Sequence, residues 1–259
     1  MPVLASEAVQ AGFRLEHIAN IGSTSAELMV RARAGEAGPL WLVADEQTAG
    51  RGRRERHWGS PKGNLYASLL LRDAAPSDAV AQLSLVLALA LRNAVVAFGR
   101  GQAAPAEIKW PNDLMLGGRK SAGLLLEGGN TGASRFVVAG FGVNIASHPE
   151  GTTHAATHLE AEGYFCTRDE LFSGLTAAVV AWLGLWQRGE GIERIRGDWQ
   201  TFAFGLGRPM KVTTASESFT ATPRGLDPTG RLIVMRDGRE LAISAAEVFD
   251  LSSRLEPVR

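Results

Sequence analysis

Apolar positions in the first part of the chain come mostly as short runs. They lie at residues 13–21, 40–44, 64–71, 106–110, 114–116, 121–126 and 136–143. Runs of four to eight residues between Gly, Pro and polar clusters predict strands. Residues 40–44 are apolar throughout, which predicts a strand covered on both faces. Longer stretches have the helical period. Residues 77–98 predict a buried helix. Residues 168–188, with Leu171, Leu175, Val179, Trp182 and Trp186, predict another, and residues 191–203 a third. A further helix is expected to start at Ser23-Thr24-Ser25-Ala26-Glu27, where a hydroxyl followed three residues later by Glu27 reads as a capping box. Gly117-Gly118-Arg119-Lys120 between two strands predicts a hairpin, with Lys120 projecting from it.

After Phe204 the pattern changes to five short strand-like stretches within residues 208–251, separated by Gly, Pro and Asp turns. This predicts a small all-β barrel. The reading is an α+β chain with a mixed-sheet domain over residues 1–204 and a β-module over 205–259. Residues 47–63 fit neither period. They predict a long loop, which inside a compact domain is usually functional or disordered.

Composition narrows the classes. The chain has 259 residues, 45% of them apolar and 21% charged, enough for a full core. Formal net charge is zero. No global basic field addresses DNA or an anionic membrane, so anion binding must be local. The most apolar segment, Val80 to Phe98, is broken by Gln82, Ser84, Arg92 and Asn93, too polar for a membrane span. The first residues lack the basic-then-apolar pattern of a secretory leader. Cys166 is the single cysteine, which fits a reducing cytoplasm and reads as a packing residue. His17, His57, His148, His154 and His158 lack paired metal-ligand spacing; His154 and His158 are four apart with no third ligand.

Four segments carry candidate chemistry. Residues 49–63 hold four Arg and one Lys against one Glu, a net charge of +4, among several glycines. Such a loop clamps phosphate or carboxylate, or is a solvated or RNA-contacting stretch. Lys109-Trp110-Pro111-Asn112-Asp113 places a lysine at a strand end and a carboxylate that would suit Mg²⁺. It reads equally as a proline turn capped by Asn112 and Asp113. Ser23-Thr24-Ser25 offers hydroxyls for a urea or amide, or a plain helix cap. Val138 to Ile145 carries two glycines that permit close backbone approach, with Asn144 available for a purine edge.

Taken in order, these segments resemble the biotin protein ligase family. Ser23-Thr24-Ser25 looks like its biotin segment, and Gln47 through Trp58 like its G-R-G-R-R loop with the trailing Trp. Ser60-Pro61-Lys62-Gly63-Asn64-Leu65-Tyr66 matches S-P-x-G-N-L-Y, and Lys109 to Asp113 matches K-W-P-N-D. Lys120 to Glu127 and Gly140 to Ile145 resemble its two glycine-bearing strands, and Gly225 to Leu232 a turn of its C-terminal module. The likeness implies a class II synthetase-like catalytic domain of the biotin/lipoate ligase type, followed by an SH3-like barrel. It implies that biotin and ATP, with Mg²⁺, form biotinyl-5′-AMP, and that the acyl group passes to a lysine of a biotin carboxyl carrier protein.

By the same resemblance Ser23, Thr24, Ser25, Gln47, Arg51, Gly52, Arg53 and Lys120 hold biotin. Arg51, Arg53, Trp58, Lys109, Asn112 and Asn144 meet the nucleotide. Lys120, Arg53, Lys109 and Asp113 carry the chemistry, with Asp113 also the candidate for Mg²⁺. Only some 20 residues precede Ser23, so no helix-turn-helix and no DNA binding are expected. A cytoplasmic protein without a membrane partner is expected; monomer and homodimer stay open. Rival readings are a lipoate or octanoate ligase, a non-catalytic biotin sensor, and an RNA-binding module. The last predicts stacking aromatics in the barrel, where only Phe219 and Phe249 occur.

Overall fold

The computed structural model describes residues 1–77, 79–152, 155–244 and 246–250, without the side chain of Glu55. His154 and Ala245 lie outside them. A short helix α1 (Ser6–Gln10) leads to β1 (Arg14–Ile21), α2 (Thr24–Arg33), β2 (Leu40–Gln47) and β3 (Leu65–Arg72). Helix α3 (Leu83–Val96) follows, then β4 (Ala106–Lys109), β5 (Asp113–Leu116), β6 (Arg119–Thr131) and β7 (Ser134–Val143). These strands form one seven-stranded sheet in the order β1-β2-β3-β7-β6-β5-β4. Only β1 and β2 run parallel; the other pairs are antiparallel, so the sheet is mixed, as expected.

The sheet is covered on both faces, which is why its strands read as nearly unbroken apolar runs. Trp41, Val43, Leu65, Ala67 and Leu69 face a large core built with α3 and α4 (Arg168–Trp186). The alternate residues Leu40, Leu42, Leu70 and Val138 face a smaller core under Leu28, Met29 and Ala32 of α2. Helix α3 buries ten residues spread around its circumference, as a helix central to a core does. A short 3₁₀ turn, residues 80–82, precedes it.

Helix α5 (Ile192–Thr201) leads into a second sheet made of β8 (Met210–Thr213), β9 (Ser218–Leu226), β10 (Leu232–Arg236), β11 (Arg239–Ile243) and β12 (Glu247–Asp250). Its order is β11-β10-β9-β8-β12, all antiparallel. These are the five strands expected. Met210, Val212, Leu226 and Val234 join the large core, so the second sheet is packed onto the first unit. No described helix is long and apolar enough to cross a membrane.

Two local expectations are corrected. The capping box at Glu27 does not form: Ser23 is the N-cap and accepts from the Ala26 N–H. The Thr24 hydroxyl is drawn away to Gln47, a tertiary contact that overrides the local pattern. A capping box does form at α4, where Thr167 and Glu170 exchange bonds; its T-x-x-E spacing was legible. Lys120 is not in the hairpin turn either. Gly117 and Gly118 take the left-handed turn positions, φ 54° and 77°, and Lys120 is the second residue of β6.

Candidate active site

Where α2 begins, two rows of residues cross the sheet beneath it. One is Leu42, Ser68, Gly140 and Leu125; the next is Tyr66, Gly142 and Gly123. The glycines leave a shelf. A Cβ on Gly140 would overlap Ser25 Oγ, and one on Gly142 would lie 2.6 Å from the Trp58 indole. Glycine therefore lets Ser25 and Trp58 lie directly on the strands. The shelf opens into a cavity of about 390 Å³. All thirteen site residues expected from sequence line it.

One end of the cavity is neutral and polar. The Thr24 backbone N–H and hydroxyl both reach Gln47 Oε1, at 2.9 and 3.1 Å. Gln47 Nε2 donates to Ser60 Oγ at 3.0 Å, and Ser60 donates to the Trp58 carbonyl at 2.9 Å. Ser23, Thr24 and Ser25 are all buried. Ser68, unexposed in the middle of β3, touches the hydroxyls of both Thr24 and Ser25.

The other end is charged. Lys120 Nζ lies 2.7 Å from Asp113 Oδ1, and Lys109 Nζ 3.1 Å from Asp113 Oδ2. Burial pushes the Asp113 carboxyl up, but the two ammonium groups outweigh it and hold its pKa below the ordinary value. Lys120 also stands 5.3 Å from the Trp58 ring centroid, a cation–π contact. Its backbone is fixed from both sides: Lys120 N donates to the Ala155 carbonyl at 3.0 Å, and Thr157 N to the Lys120 carbonyl at 2.9 Å. Two cations thus share one buried carboxylate, and Arg53 lines the same cavity. Arg53 Nη1 donates to Asn112 Oδ1 at 3.1 Å and Nη2 to the Ala246 carbonyl at 3.4 Å. Burial lowers the Arg53 pKa, against the pull of Asp113 and Glu247.

Asn112 is held at both ends of its amide, accepting from Arg53 and donating to the Leu124 carbonyl. Asn144 donates one amide N–H to the Thr157 carbonyl at 3.0 Å, which fixes the side chain in the cavity wall. Asp113 does not fit as a Mg²⁺ ligand, since both its oxygens face ammonium groups. Among the described residues no cluster of three or more His, Cys, Asp or Glu is placed to hold a metal. His148 and His158 do meet, Nδ1 to Nδ1 at 2.7 Å, a pairing their spacing did not reveal. Cys166 is half-buried against the large core, and burial pushes its thiol up to about 12, consistent with a packing role.

Three of the four arginines of the loop pair with carboxylates. Arg51 pairs with Glu127 at 2.6 Å, Arg54 with Glu247 at 3.4 Å, and Arg56 also with Glu247. Glu247, Val248 and Phe249 of β12 also line the cavity. Sequence reasoning missed Ser68, Glu127 and Glu247. A lone hydroxyl inside an apolar strand was a usable signal for Ser68. Glu127 ends the Lys120 to Glu127 segment singled out from sequence but was given no role there, and no local pattern marks Glu247, which arrives from a strand far along the chain.

Residues 30–144 match the model of the biotin/lipoate A/B protein ligase family. A biotin–[acetyl-CoA-carboxylase] ligase of Paracoccus denitrificans is 37% identical over 239 residues, 90% of this chain and 98% of the relative. One from Mycobacterium tuberculosis is 31% identical over 247 residues, 93% of this chain and 91% of that one. The biotin protein ligase of Aquifex aeolicus, solved with biotin and ATP, superposes with a TM-score of 0.75 at 27% identity, covering 91% of this chain and 97% of that one. The fold, the cavity and relatives matched over nearly their full length agree: the chain belongs to the biotin protein ligase family.

Proposed function

We propose that this chain activates biotin with ATP and passes it to a lysine of a biotin carboxyl carrier domain, the acceptor being an acetyl-CoA carboxylase subunit. Two features support this reading: relatives bearing that activity in their names, and a cavity with a neutral polar end and a cationic end. The second is the observation that carries it. A cyclic urea is neutral and needs hydrogen bonds; a carboxylate and an α-phosphate are anions and need cations. Residues 1–204 are the catalytic unit in this reading, and residues 205–259 a module that closes one side.

The chemistry demands little covalent work from the protein. In the first step a carboxylate oxygen of biotin attacks the α-phosphorus, and the bond to the pyrophosphate oxygen breaks. Both reactants are anionic, so their approach requires neutralisation in a dry site. Lys120, Lys109 and Arg53 supply it, and Asp113 holds the two ammonium groups in place. Ser23, Thr24, Ser25 and Gln47 hold the urea. Arg51, Gly52 and Arg53 close over the acyl phosphate, and Trp58, Asn112 and Asn144 border the nucleotide. Magnesium, if ATP brings it, would have to be held by groups other than Asp113 and would help neutralise the phosphates. In the second step the acceptor amine attacks the acyl carbon, AMP leaves with the bonding pair, and the ammonium proton goes to solvent.

The test is biotin-dependent exchange of labelled pyrophosphate into ATP. Exchange with biotin and none with lipoate or octanoate is expected. Exchange driven by lipoate would replace the reading with that of a lipoate ligase.

A further inference from the structure

Ser68 has no place in the chemistry above, yet it is fully buried under the polar end of the cavity. It sits in β3 on the α2 face, level with Leu42 and Gly140. Its hydroxyl is 2.8 Å from Thr24 Oγ1 and 3.0 Å from Ser25 Oγ. Each of these three hydroxyls has one proton to give and two lone pairs to receive. Counting protons fixes the direction of every bond.

Gln47 provides the starting point. A backbone N–H only donates, so the Gln47 atom facing Thr24 N at 2.9 Å is the oxygen. The far end agrees. Ser60 commits its proton to the Trp58 carbonyl, so Ser60 Oγ accepts from Gln47 Nε2. The amide orientation is therefore determined at both ends. The Thr24 hydroxyl must then donate to Gln47 Oε1. With that proton used, Ser68 must donate to Thr24, and Ser25 must donate to Ser68. The chain runs one way, from Ser25 through Ser68 and Thr24 to Gln47.

We infer that Ser68 is a positioning residue that sets substrate specificity through this chain, an inference that rests on the biotin reading above. By absorbing the Ser25 proton, it leaves Ser25 with lone pairs only toward the cavity and Thr24 with one. The polar end then accepts and does not donate from these two hydroxyls. It selects a ring that presents N–H donors, as a cyclic urea does. It rejects the same ring with oxygen in place of nitrogen, because lone pairs would face lone pairs with no proton between them.

Two measurements test this. In the unaltered protein, calorimetry should show biotin binding at least about 100-fold tighter than its cyclic carbonate analogue, the discrimination expected of a site built around an N–H. Comparable affinity for the two overturns the inference while leaving the biotin reading intact. Binding of neither overturns both. In Ser68→Ala, the Ser25 hydroxyl loses its internal acceptor and is free to turn its proton into the cavity. The KM for biotin should rise about tenfold, and the preference over the carbonate should fall by a similar factor. The KM for ATP and the maximal exchange rate should stay within about twofold. Equal losses toward both ligands, or a parallel rise in the KM for ATP, would mean that Ser68 only supports the fold.

Discussion

Lys120 Nζ lies 2.7 Å from Asp113 Oδ1, and Lys109 meets the other oxygen of the same carboxylate at 3.1 Å. Two cations that would repel are held side by side by one buried anion. Reactant anions then meet a preformed positive site rather than one that must assemble at the moment of reaction. Replacing Lys120 by Gln removes one charge and leaves the shape nearly unchanged. The expected loss is about 1.5–3 kcal/mol of transition-state stabilisation, roughly 10- to 100-fold in the exchange rate. A normal melting curve with an unchanged exchange rate would remove Lys120 from the chemistry.

Asp113 matters to stability for the same reason. Asp113→Asn leaves two crowded ammonium groups without their counter-ion, and breaking a buried pair this way costs about 3–5 kcal/mol. The pH dependence follows from the depressed pKa of Asp113. A carboxylate whose folded pKa lies below its unfolded value, about 3.9, stabilises fully above that value. The contribution is lost as pH falls through the lower folded pKa. Urea titrations of wild type and Asp113→Asn should therefore differ by a constant amount at neutral pH and converge below about pH 4. A gap that stays constant into acid would contradict the ion-pair account.

Much of this site was legible in the sequence because its residues come in short contiguous motifs. Ser23-Thr24-Ser25, Gln47 with the arginine loop, and Lys109 to Asp113 each sit at one element's end, so local order survives folding. What was not legible depends on three-dimensional pairing. Lys120 was placed in a turn because two glycines precede it, whereas those glycines make the turn alone and the strand starts at Arg119. The cap at Glu27 failed because Gln47, far along the chain, takes the Thr24 hydroxyl. Glu247 reaches the arginine loop only because the second sheet packs beside it.

That last contact makes a prediction about the loop. Glu247 faces Arg54 and Arg56, and Arg54 takes a left-handed backbone, φ 55°, that a non-glycine residue adopts at some cost. Glu247→Gln removes the anion that offsets it. Both arginines are partly exposed, so the effect should be modest and salt-sensitive. Tryptic cleavage within residues 51–56 of the ligand-free protein should accelerate about threefold, and high salt should narrow the difference. Equal cleavage rates at low salt would show that β12 does not hold the loop.

Gly142 tests the shelf. A Cβ there would stand 2.6 Å from the Trp58 indole, whose buried Nε1 has no hydrogen-bond partner among the described residues. Gly142→Ala must lift Trp58 off the strands or strain them, costing about 1–3 kcal/mol. Lys120 would lose its aromatic cover, so the exchange rate should fall together with a change in tryptophan fluorescence. Wild-type fluorescence and exchange in this variant would contradict the packing.

The most direct test of the whole account is the mass of an acceptor. A biotin carboxyl carrier domain incubated with this protein, ATP and biotin should gain the mass of one biotinyl group on one lysine, with AMP and pyrophosphate formed in equal amounts. Substituting lipoate should give no product. An unmodified acceptor despite adenylate formation, or an acceptor acylated by lipoate, would contradict the claim that this cavity carries biotin from ATP to protein.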